Sequence, residues 1–133
     1  MKKIYAGALI VVFISLACET TQNEPDTSDQ GTAWLADAGA GAVYKIDRGC
    51  NEIVCSATDM GHPTALVFDP YRGVCWVTDS DRGRVIVLSN RGVSLLELYG
   101  FGDAVAIGLF PKEGCVWVAD RTGGKVYKLG ERG

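Results

Sequence analysis

Three tryptophans, Trp34, Trp76 and Trp117, stand 42 and 41 residues apart, and each carries the same companions. Three positions on comes an aspartate (Asp37, Asp79, Asp120). Seven positions on comes a glycine (Gly41, Gly83, Gly124), and nine on a valine (Val43, Val85, Val126). Pro70 and Pro111 precede the second and third tryptophans by six residues. Self-similarity at such a period means one supersecondary unit written several times, and a unit of this kind cannot bury its apolar surface alone. The repeat constrains the fold more than any other feature of the chain.

Within each unit, period-two patterning and turn residues mark short strands. "TALVFDP" and "AVAIGLFP" read as a first strand closed by proline, and "CWVTD" and "CVWVAD" as a second. After a glycine-containing turn ("SDRG", "RTGG"), "RVIVLS" and "KVYKLG" read as a third. Arg-Gly turns follow at Arg48-Gly49, Arg91-Gly92 and Arg132-Gly133. "NEIVCSA" and "VSLLELYG" complete the first two units as fourth strands. Four antiparallel strands in about forty residues is the pattern of a propeller blade.

The wording "P..G.VWVTD...GRV.VLS" resembles the NHL and YVTN-type repeats of bacterial β-propellers, from about Gly31 to Gly133. The resemblance implies an all-β array of three four-stranded blades, at about 31–61, 62–100 and 101–133. The array is incomplete, an open arc with the first and last blades each lacking a strand. Closed propellers have about 4 to 8 blades. Two explanations follow: a fragment of a longer propeller, or an arc that associates with another copy to complete a ring.

The amino terminus reads differently. Lys2 and Lys3 precede an apolar run, Ile4 to Ala17, too short for the roughly 20 residues of a membrane-spanning helix. The order of basic start, apolar core and small residue is that of an export signal. "ISLAC" resembles the lipobox of bacterial lipoproteins. That resemblance implies cleavage of a 1–17 signal peptide, lipidation of Cys18 and a membrane partner held through acyl chains. At least two chains are needed for stable anchoring. Residues 18–30 hold the lipidated cysteine and a tether: "ETTQNEPDTSDQ" has no apolar residue and does not bury enough surface to fold. The expected location is the bacterial cell envelope, with Glu19 favouring the outer membrane.

With 13 basic and 16 acidic residues the net charge is −3. No basic stripe suggests nucleic acid. A residue present in every blade is expected to do structural work, so the tryptophans are assigned to packing and Asp37, Asp79 and Asp120 to hydrogen bonds with turn backbone. Asp81 in "DSDRG" lacks the spaced oxygen ligands of a calcium loop and reads as a turn. His62 in "GHP" is the least implausible general base but fits a turn residue better. No cofactor, metal ligand set or catalytic constellation is legible. Cys75 and Cys115 alternate to opposite sheet faces and read as buried free thiols; Cys50 and Cys55 are too far apart along one extended strand to pair. The sequence therefore implies an exported propeller module for ligand or protein binding. The alternative is a lactonase- or lyase-like enzyme whose catalytic residues lie in blades beyond these three.

Overall fold

A computed structural model of the chain describes residues 10–13 and 31–130. Cys18, the 18–30 tether and Arg132-Gly133 lie outside the described residues. The eleven described elements are all strands. The first sheet runs in the order β1 (Ile10–Phe13), β2 (Ala33–Asp37), β3 (Ala42–Ile46), β4 (Ile53–Ala57). The second runs β5 (Pro63–Asp69), β6 (Val74–Asp79), β7 (Arg84–Ser89), β8 (Ser94–Tyr99). The third contains β9 (Ala104–Phe110), β10 (Cys115–Asp120) and β11 (Lys125–Leu129). Each is an antiparallel meander, and the sheets stack as an open array.

The repeat is kept to the residue in the strand register. Trp34 lies opposite Lys45, Trp76 opposite Val87, and Trp117 opposite Lys128. Among the described residues the third sheet has three strands, as the sequence implies. The first has four, because β1 pairs with β2 from Ile10 opposite Asp37 to Phe13 opposite Trp34. That strand comes from the apolar run read as the core of an export signal. A row of unpaired backbone groups along β2 offers a template for any extended segment, and "IVVF" is rich in β-branched and aromatic residues.

Two apolar clusters fill the gaps between sheets. Between the first and second, Trp34, Ala36 and Val43 meet Leu66, Cys75, Val77, Ile86 and Leu88. Between the second and third, Trp76, Val85 and Val87 meet Val116, Val118 and Leu129. The middle sheet is thus covered on both faces, which explains why "VCWVTD" and "RVIVLS" are apolar without alternation. A further link joins the innermost strands of the second and third sheets, where Thr64 Oγ1 donates to the Ala104 carbonyl at 2.8 Å.

Candidate interaction face

The aspartates at the ends of the second strands hold backbone of their own turn, of the loop that enters their blade, or of both. Asp120 accepts the N–H of Gly123 in its own turn at 3.0 Å. It also accepts those of Gly102 and Asp103, in the loop that enters its blade, at 2.8 and 3.0 Å. These bonds hold its carboxyl below the usual carboxylate range. Asp79 accepts the N–H groups of Gly61 and His62 at 3.1 and 2.9 Å. Burial pushes the Asp79 carboxyl up, but these two bonds and the Arg84 guanidinium outweigh it and leave the group below its usual range. Asp37 accepts the Ala40 N–H at 2.9 Å within its own turn. The loop partners lie 17 and 18 residues upstream in sequence, a link that spacing alone does not reveal.

Arg84 breaks the repeat. Its counterparts at the heads of β3 and β11 are Ala42 and Lys125. The Arg84 guanidinium is buried. It donates to Asp79 at 2.9 Å, to Glu97 at 2.7 Å and to the Asp59 carbonyl at 3.2 Å. One side chain therefore clamps a second strand, a fourth strand and the loop between blades. With Nε, Nη1 and Nη2 each donating, it is a brace rather than a free cation. Arg82, beside it, binds the Asp59 carbonyl and carboxylate.

The three tryptophans all point the same way along the stack, and their surroundings differ. Trp34 and Trp76 are each 3% exposed beneath the following blade, whereas Trp117 is 46% exposed. Val43 and Val85 are fully buried, and Val126 is 64% exposed. Phe110 extends the apolar surface at the same face. Lys45 and Lys128 each stand over their own tryptophan ring, at 5.7 and 5.8 Å. Lys45 reaches on to the carbonyl and side chain of Asn90 in the next blade. Lys128 instead pairs with Glu113 of its own blade at 2.5 Å.

The repeated glycines repeat this asymmetry. Gly41 and Gly83 have φ of +60° and +56°, and a Cβ there would lie 2.4 and 2.2 Å from the carbonyls of Met60 and Phe101 in the next inter-blade loop. Gly124 has φ of +57°, yet among the described residues nothing lies within 4 Å of such a Cβ. The third blade thus ends in an apolar face with an open glycine notch. It is built like the two faces that other blades cover.

The remaining candidates stay apart. His62 is exposed, and its carbonyl accepts from Ser80 at a turn. Asp81 is an exposed turn residue. All four described cysteines are free thiols; Cys75 and Cys115 are buried, Cys55 is half-buried and Cys50 exposed. Burial pushes the Cys75 thiol far up, with Cys55 adding to the effect. Among the described residues no group of three His, Cys, Asp or Glu side chains converges as a metal site requires.

No protein-family profile and no curated protein matches the sequence. Solved structures do match in fold. A streptogramin B lyase superposes with a TM-score of 0.68 at 18% identity, over 94% of this chain and 42% of that one. The Kuenenia stuttgartiensis hydrazine synthase gives 0.63 at 15%, over 75% and 32%. A Bacteroides caccae protein of unknown function gives 0.63 at 14%, over 79% and 44%. These likenesses and the stacked antiparallel sheets define the class: a β-propeller fold, here an arc of three blades. The chain spans less than half the length of each of these structures.

Proposed function

We propose that the chain is an NHL-like propeller module, exported and lipid-anchored through Cys18, that binds a protein partner through the open face of its third blade. The observation that carries this reading is the contrast between Trp117 and its two buried counterparts. Contiguous apolar surface of this kind marks interaction sites, and aromatic residues with a neighbouring cation are typical anchors. The strongly placed polar groups, Asp79, Asp120 and Arg84, already hold backbone or one another, which supports a binding role over a catalytic one. The lyase in the structural comparison shares the fold at 18% identity; a lactonase- or lyase-like activity would rest on residues outside these blades.

The test places a photo-crosslinking amino acid at position 117 in the exporting cell, with position 122, an exposed turn, as the control. The reading expects a discrete protein adduct from position 117 alone. No adduct, or equal adducts at both positions, would sink it. Anchoring is checked separately by metabolic labelling with a radioactive fatty acid, which Cys18→Ser should abolish. Cleavage before Cys18 would also remove β1, exposing the backbone edge of β2.

A further inference from the structure

Resting on that reading, we propose that the partner is a second copy of this chain, docked head to tail so that its first blade covers the Trp117 face. Each blade has two unlike faces. One bears the tryptophan, the valine nine residues on and the glycine notch. The other covers it, and on the middle blade consists of Leu66, Cys75, Val77, Ile86 and Leu88. Inside the chain these faces meet twice, tryptophan side to covering side. Among the described residues one of each is left over: the Trp117 side of the third blade and the covering side of the first. By register the latter carries Ala33, Leu35, Tyr44 and Ile46, all half-buried.

Two copies arranged head to tail therefore continue the interface already used twice, without any new type of contact. Lys45 reaches the turn of the next blade at Asn90. Its counterpart Lys128 would reach the equivalent turn of the other copy's first blade, where Arg48 stands at the Asn90 position between Asp47 and Glu52. Heterologous contacts of this sort either close into a ring or propagate as a filament. Two copies of an arc covering 42% of the streptogramin B lyase chain approach the length of that whole propeller, so closure at two is the expected outcome.

The test uses the full chain carrying Cys18→Ser, to remove the lipid, with light scattering to read its mass. The expected result is twice the single-chain mass of 14.2 kDa. Val126→Glu and Tyr44→Glu each place a charge on one of the two leftover faces. Val126 is largely exposed within the chain, so its substitution leaves internal packing intact, and far-ultraviolet circular dichroism confirms folding of both. Each variant alone should run as a monomer, and an equimolar mixture should recover the two-chain mass, since each supplies the face the other lacks. A monomeric parent chain would overturn the proposal. So would a Tyr44→Glu chain that stays dimeric, which means like faces pair. If the crosslinker at position 117 captures a different protein, self-pairing fails while the interaction reading stands.

Discussion

Replacing Asp79 by alanine tests the bracing of the blades most sharply. The carboxylate is fully buried and accepts from Gly61, His62 and Arg84 within 3.1 Å. Its removal leaves a guanidinium whose side chain is only 7% exposed with Glu97 as its remaining carboxylate partner. Breaking a buried pair by deleting one partner costs about 3–5 kcal/mol when the remaining charge is uncompensated; the surviving Glu97 pair puts the Asp79→Ala loss at the lower end of that range. The two freed N–H groups add little, because His62 is exposed and water can reach the loop. Against a typical domain stability of about 5–15 kcal/mol, a loss of that size brings much of the population close to unfolding. The assay is urea unfolding followed by tryptophan fluorescence. Arg84→Met should cost less than Asp79→Ala, because Asp79 keeps its two backbone donors and Glu97 is open to water. The double variant should be milder than the sum of the singles, by about 0.5–3 kcal/mol. An Asp79→Ala loss below about 1 kcal/mol, or strict additivity, would refute the bracing argument.

Other predictions follow from the same structure. Gly83→Ala should be far more damaging than Gly124→Ala in a monomeric chain: both meet the strain of positive φ, about 1–2 kcal/mol, but only the first drives a methyl into a backbone carbonyl. Thermal melts of the two variants check the order. Cys50 has φ of +54° where the second blade has Gly92 at +75°, so Cys50→Gly should gain about 1 kcal/mol by relieving that strain. Asp79 and Asp120 titrate below their usual range when folded. The stability they confer is therefore present above about pH 4, the value in an unfolded chain, and lost as pH falls through the folded values. Urea midpoints should drop on acidification below that point, less steeply in Asp120→Asn. Alkylation under native conditions should mark Cys50 first and spare Cys75 and Cys115 until the chain unfolds.

Much of this architecture is written locally. The tryptophan period, the prolines closing β5 and β9 and the glycine turns are short-range signals, so ten of the strands follow from the pattern. β1 does not, because "IVVF" inside an apolar run after two lysines satisfies the physics of an export signal as well as that of a strand. The Arg84 brace was illegible for another reason: its partners lie 5, 13 and 25 residues away, and only the fold brings them together. The open face was half legible. Counting units showed that an arc of three has uncovered ends, but which residues stand there depended on knowing that all three tryptophans point the same way.

The stacking of like blades in a single direction is tested most directly by tryptophan footprinting. Hydroxyl radicals applied to the monomeric Val126→Glu chain, with mass spectrometry of the peptides, would report each indole separately. The account predicts heavy oxidation at Trp117 and protection at Trp34 and Trp76. Equal labelling of all three would mean that no blade shelters its neighbour, and the account would fail.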